Sequence, residues 1–347
     1  MQPKVKRLLV DFFSCSACST LARKVFGHGI PIFMLHRMRE HGDAIPPEAA
    51  TSDTHLRRCL TYLVDNHYSF LSLRDLTHAL AHQQRLPEKC VVFTMDDGFE
   101  DQARIAAPIF AEFNCPATLF LITGMLDQQL WPWDDKVAFA INQTTVASFN
   151  IAIGENSYQF TLNTDKDRRT ARRKIQDAIK AGPFDQLTTI LANLEKATQV
   201  EIPALPPPQY KPLTWEEARG YEKQGIEFAP HTISHSILSR LDRDTASREI
   251  LGSWQRVREE LSNPSPVFCY PTGRYCDFGS REVKLIREAG LTGAVSTIPA
   301  QVRPELANDY YRFALPRYSL PNSFSDFKLY CSWVEYVRER NLRYWPR

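Results

Sequence analysis

Two short stretches of this chain bring together residue types that chemistry needs in close company. "TMDDG" (94–98) sets Asp96 and Asp97 side by side at the end of an apolar run, and "HTISH" (231–235) sets His231 and His235 four residues apart. Adjacent carboxylates repel and, at a buried strand end, also lose hydration, so an ordinary surface turn is the first account to test. A bound cation changes that balance, because it lowers the cost of ionising both acids, leaving one as a ligand and the other free to accept a proton from water. H-x-x-x-H on one helical turn places both imidazoles on a single face. Taken alone, that spacing describes a satisfied or exposed histidine pair better than a site. Joined to one aspartate, it supplies two neutral nitrogens and a carboxylate, which leaves a divalent ion one open position for water. Gly98 lets the backbone bend sharply beside the acids.

Two more apolar runs end in polar groups: "GIPIFMLH" (29–36) ends in His36, and "VFC" runs into "YPTGR" (270–274). Asp134 and Asp135 form a second acidic pair, but no histidine is near them in sequence, so they read as a helix N-cap with a charged first turn. His28, His41, His55, His67, His78 and His82 have no partner spacing and read as structural.

The elements that must position these residues follow from the hydrophobic pattern. "KCVVFTM" (89–95) and "PATLFLIT" (116–123) are buried strands, while "DTHLRRCLTYLVDNHY" (53–68) and "QARIAAPIFAEFN" (102–114) are helices. Alternating strand and helix argues for parallel strands covered by helices. The expected fold is α/β, a distorted (β/α) barrel of seven or eight strands, whose functional groups gather where strands end. The alternation breaks at about residues 131–210, read as an insertion: a hairpin turning at Gly154 to Asn156, the charged helix "DKDRRTARRKIQDAIKAG", a second helix to about Thr198, and the proline-rich hinge "IPALPPPQYKP". Thr214 caps the helix that resumes the pattern, and Gly225 stops it. The domain reading is therefore an N-terminal segment, 1–28, and a barrel, 29–347, carrying the insertion.

The 347 residues, 43% of them hydrophobic, can bury a large core. Lys and Arg number 42 against 40 acids, a balance too even to point to nucleic acid as a partner. The first 28 residues are basic and apolar with Asp11 as their only acid, a pattern suited to a helix lying on an anionic membrane surface. Asp11 also interrupts the apolar run that a signal peptide needs, so secretion is the weaker reading and a cytoplasmic location, peripheral at the inner membrane face, the stronger. The eight scattered cysteines suit reduced thiols, and Cys15-x-x-Cys18 lacks a second pair at zinc spacing.

"TMDDG" and "HTISH" resemble the T-F-D-D-G and H-S/T-x-x-H motifs of the polysaccharide deacetylases, carbohydrate esterase family four, and "YPTG" resembles that family's third motif. "MLHR" (34–37) is similar to the Y-H-R opening of the branch acting in exopolysaccharide and cell-envelope glycan synthesis, and the similarity spans roughly 30–130 and 211–300. The resemblance implies a metal held by Asp97, His231 and His235, with Asp96 as general base. It also implies a backbone N–H near Thr272 for the oxyanion of an acetamide under attack by water, giving acetate and a free amine. One divalent ion is expected, zinc first; Fe2+, Co2+ or Ni2+ fits the same donors. An N-acetylated glycan or a lipid-linked sugar would be the substrate. Tyr270, Pro271, Gly273 and Arg274 are expected on its side of the site, together with Arg317, Trp131 and Trp133. The two tryptophans would either stack on sugar rings or anchor the insertion.

Two departures from the family pattern matter. Cys269 stands where the family often has an arginine that orients the base, so another cation, Arg274 or Arg317, must do so. No histidine follows His235, so the late general acid of many relatives is missing and His36 is the expected substitute. These departures also motivate two other readings: a glycan-binding protein without turnover, and a hydrolase of a different amide or ester.

Overall fold

The computed structural model describes residues 27–40, 50–182 and 184–340. Cys15, Cys18, His41 and all but the last two residues of the basic N-terminal segment lie outside them. In chain order the main elements begin with β1 (Ile32–Leu35), α1 (Asp53–Asp65), β2 (Ser69–Leu71), α2 (Leu73–Ala81), β3 (Cys90–Met95), α3 (Ala107–Glu112) and β4 (Ala117–Leu121). The stretch that the sequence pattern reads as an insertion, termed the added segment, contributes α4 (Trp133–Gln143), β5 (Ser148–Ile153), β6 (Asn156–Thr161), α5 (Asp165–Ala181) and α6 (Leu187–Thr198). Then come α7 (Trp215–Glu222), β7 (Ile226–Pro230), α8 (Arg243–Glu260), β8 (Val267–Cys269), α9 (Ser280–Glu288), β9 (Gly293–Val295), β10 (Tyr318–Ser319), α10 (Phe324–Tyr330) and α11 (Trp333–Arg340).

A six-stranded sheet runs β10-β1-β3-β4-β7, with β2 also paired to β3, and β8 pairs with β9. All of these pairings are parallel. A few contacts link the two groups: the Ser265 N–H donates to the Phe228 carbonyl at 2.7 Å, and Val295 bridges to Leu315, three residues before β10. The result is the expected α/β architecture, a distorted (β/α) barrel with interrupted ladders.

Strand periodicity explains why the site faces inward. Val91, Phe93 and Met95 join the cluster beneath the helices, while Cys90 and Val92 join a second cluster with Ile32, Phe120, Ala229, Cys269 and Val295. Successive side chains alternate faces. Thr94 and Asp96 therefore continue the inner row of β3, His231 continues that of β7 after Ala229, and Cys269 ends that of β8. The strands are buried on both faces, as parallel strands under helices must be.

The added segment has its own core, in which Trp133, Val137 and Ile141 of α4 meet Phe149, Ile151, Ile175, Ile179 and Leu194. Its strands pair antiparallel from Ser148–Thr161 to Ile153–Asn156, and Gly154 turns at φ +59°. Thr164 and Asp167 cap α5 reciprocally. Arg168 of the basic run donates to the carbonyls of Ile141 and Thr144 at 2.6 and 3.1 Å, satisfying the C-terminus of α4.

Candidate active site

The turn after β3 is held in a shape that only particular residues tolerate. Asp97 and Gly98 both have positive φ, +85° and +89°. A Cβ at Gly98 would lie 2.9 Å from Leu121 Cδ2. Gln102, wholly buried, accepts from the N–H groups of Gly98 and Phe99 at 3.2 and 3.0 Å and donates to the carbonyls of Asp96 and His36. The expected helix at 102–114 begins as a π-helical turn, Gln102–Ala106, which accompanies this clamp.

Asp96 points into the barrel and meets Arg317. Two parallel N–H···O bonds of 2.7 Å join them, one to each carboxylate oxygen. Arg317 is 0% exposed and also donates to the Ser296 carbonyl and to Thr94 Oγ1, at 2.8 and 2.9 Å. Burial alone would raise the Asp96 pKa, but Arg317 outweighs it and holds the carboxyl well below its ordinary range. Of the two cations expected to orient this acid, Arg317 is the one in contact. Arg274 instead pairs with Asp277, through Nε at 2.9 Å and the second amine at 3.0 Å. Full burial rules Arg317 out as a direct substrate contact. Cys269, at the position the family often gives to arginine, donates its thiol to Asp96 Oδ2 at 3.5 Å.

Asp97 Oδ1 is buried without a hydrogen-bond donor and lies 3.5 Å from His231 Nε2 and 3.6 Å from His235 Nε2. These separations are too long for hydrogen bonds. They match a shared coordination sphere: tetrahedral ligands at about 2.0–2.1 Å from an ion stand roughly 3.3–3.4 Å apart. The donors therefore fit a divalent cation. His231 donates Nδ1–H to the Cys269 carbonyl at 2.8 Å, which leaves Nε2 as the free lone pair. Burial, and then the neighbouring His235, pull the His231 pKa down to about 3. His235 goes the other way. Burial opposes its charge, but Asp134, Asp97 and Asp135 outweigh that and push it up to about 9.

The two histidines converge for a different reason from the one expected. Residues 231–235 are a loop, not a helical turn, with Thr232 and His235 at φ +66° and +58°. The His235 N–H donates to Thr232 Oγ1 at 3.0 Å, and Glu249 of α8 accepts from the N–H groups of Ile233 and Ser234 at 2.8 and 3.0 Å. Local hydrogen bonds and one long-range carboxylate thus fold the loop back on itself.

Asp134 corrects the reading that isolated its acidic pair from any histidine. Its Oδ1 is 3.3 Å from His235 Nδ1, across the boundary between the added segment and the barrel. His36 has 45% of its side chain exposed, with Nε2 3.9 Å from Asp96 Oδ2. Thr272 and Gly273 take positive φ, +56° and +57°, in the turn after β8, while Thr272 Oγ1 bonds Asp277. Tyr270 is buried and donates its hydroxyl to the Phe313 carbonyl at 2.9 Å, so its ring offers no substrate surface.

Trp131 and Trp133 are also not sugar platforms, being 2% and 3% exposed. Trp131 packs on Phe139 and Tyr210 and donates to the Pro203 carbonyl at 2.8 Å, and Trp133 packs on Phe184. Their apolar area holds the added segment in place. Asp134, Gln102 and Glu249 are the residues that sequence reasoning missed. The one signal for Asp134 was its place directly after Trp133, one of the two tryptophans that could anchor the insertion to the barrel.

A parallel barrel with paired aspartates and histidines at the carboxyl ends of its strands defines the class of fold and site. A sequence model described as polysaccharide deacetylase matches residues 83–294, and the chain belongs to that family. The Bacillus subtilis protein YxkH is 29% identical over 93 residues, 27% of this chain and 32% of its own length, so the match spans about a third of that relative. Among solved structures, the Streptococcus pyogenes deacetylase PplD in complex with acetate is similar at 17% identity and a TM-score of 0.56, covering 87% of this chain and 97% of that one. IcaB from Ammonifex degensii is similar at 14% identity and TM-score 0.56, covering 88% and 97%. A de-N-acetylase of Aggregatibacter actinomycetemcomitans follows at 14% and 0.55, covering 87% and 100%. At these identities the likeness concerns the fold.

Proposed function

We propose that this protein hydrolyses the N-acetyl group of an amino sugar in a polysaccharide, oligosaccharide or lipid-linked glycan, releasing acetate, with a divalent cation held by Asp97, His231 and His235. The observation that carries the reading is the buried, donor-less Asp97 Oδ1 facing two histidine Nε2 atoms. Zinc suits two nitrogens and one oxygen best. When bound, the cation supplies a Lewis acid that polarises the acetamide carbonyl and makes water more acidic.

The chain's own residues do the rest. Asp96, kept ionised and fixed in two directions by Arg317, takes the proton of the attacking water. The Thr272 backbone N–H, on its positive-φ turn, donates to the carbonyl oxygen as charge develops there. His36, solvent-facing and 3.9 Å from Asp96, passes a proton to the departing amine nitrogen.

The test is acetate release from an N-acetylglucosamine oligomer. Asp96→Asn is expected to lower kcat by about 10²–10⁴-fold while still binding zinc. A chelator should abolish release and zinc restore it. Undiminished release from Asp96→Asn, or from the chelated protein, would refute the assignment. One observation favours a second reading, glycan binding without turnover: no histidine follows His235. That reading expects oligomer binding with no acetate at any metal loading.

A further inference from the structure

We propose that Asp134, carried by the first turn of α4 in the added segment, is the positioning residue that orients His235 toward the cation. This inference rests on the metal site of the proposed function and concerns a residue outside its ligand set. His235 Nε2 faces Asp97, so the direction of its ring is decided at the other nitrogen, Nδ1. That atom is buried and meets no group with full hydrogen-bond geometry; Asp134 Oδ1, 3.3 Å away, is buried and likewise unmet. Two complementary buried atoms that lack other partners, one donor and one acceptor, are each other's solution. His231 solves the same problem within the barrel, donating Nδ1–H to the Cys269 carbonyl. His235 leaves the strand on a loop that offers it no such carbonyl, and the carboxylate comes from outside.

The placement of Asp134 is specified by its surroundings. Trp133, immediately before it, is locked into the core of the added segment, and Gln176 of α5 donates to the Asp134 carbonyl at 2.9 Å. Its Oδ1 is buried while 30% of the side chain as a whole is exposed, so the residue meets the barrel loop on one side and solvent on the other. An Asp134–His235 contact fixes which ring nitrogen carries the proton, leaves Nε2 as a lone pair and makes it more basic. The added segment thereby completes the metal site of the barrel.

The experiment measures zinc affinity of the full-length chain by competition with a chromophoric chelator, for the parent protein, Asp134→Ala and Asp134→Asn, with acetate release read in parallel. Asp134→Ala is expected to bind zinc about 10–100-fold more weakly. Asp134→Asn, which retains an acceptor oxygen but no charge, should recover part of that loss. Excess zinc should restore kcat in both variants with KM unchanged. Thermal melting in chelator controls for folding, and Asp134→Asn, being isosteric, keeps the test decisive if the alanine variant fails to fold. Parent-like zinc affinity in both variants overturns the role of Asp134 alone. A parent protein that binds no divalent metal overturns both this inference and the metal-dependent reading beneath it.

Discussion

Replacing Arg317 with methionine isolates the interaction that holds the proposed base. In the parent protein two bonds of 2.7 Å join Arg317 to Asp96, and both side chains are buried, 0% and 3% exposed. Arg317→Met keeps most of the aliphatic volume and leaves the Asp96 carboxylate with a weak thiol donor at 3.5 Å and the edge of His36 at 3.9 Å. Breaking a buried pair by removing one partner costs about 3–5 kcal/mol, whereas an exposed pair such as Arg287–Asp309 contributes about 0–1 kcal/mol. The loss should depend on pH. In the parent, Asp96 is held below its ordinary value, so its contribution is present above an unfolded pKa of about 4 and is lost as pH falls through the folded value. Without Arg317, burial governs and raises the folded pKa above the unfolded one, so the variant loses stability as pH rises through that raised value. The gap between the proteins should be widest near neutrality and close toward acid pH. Urea unfolding in chelator between pH 4 and 8 reads it, and adding Asp96→Asn to the methionine variant should recover part of the loss by removing the orphaned charge. A deficit under about 1 kcal/mol that ignores pH, or a double variant weaker than the single one, would refute the reasoning.

Three other sites give predictions of known sign. Burial pushes the Glu339 carboxyl up to about 7, only partly offset by bonds from the Tyr318 hydroxyl and the Gln301 N–H. The folded chain therefore holds a proton that the unfolded chain releases above about 4.5, and stability should fall by about 3 kcal/mol as pH rises through that window. Glu339→Gln should flatten the slope of urea midpoint against pH; equal slopes in the two proteins would count against it. Gly98→Ala should destabilise by about 1–3 kcal/mol, because φ is +89° and the new Cβ meets Leu121 Cδ2 at 2.9 Å. Gly220→Ala, inside α7 with nothing within 4 Å, should stabilise by about 0.5–1 kcal/mol, and calorimetry that found the same sign for both would contradict the account.

Local chemistry was readable directly from the chain. The buried run before Asp96, the glycine after Asp97, the cap at Thr214 and the hairpin at Gly154 all depend on neighbours a few residues away. Strand parity adds that Thr94 and Asp96 share a face, and it marks the strand ends where function gathers. The helical picture of "HTISH" failed because apolar periodicity has nothing to say about a five-residue loop whose shape is dictated by Glu249, fourteen positions beyond His235 in sequence.

What the sequence determined by itself was the kind of site: two acids and two imidazoles at strand ends, and so a family and a barrel to hold them. Only the tertiary structure decided which groups control those four. Arg317, 221 residues from Asp96, was one of two candidate cations, and Asp134 lay near the start of the segment read as an insertion, about 100 residues before His235. The physical reason is range. Periodicity and capping are written in contacts a few residues apart, whereas a buried charge selects its partner by proximity in space, which no spacing along the chain encodes.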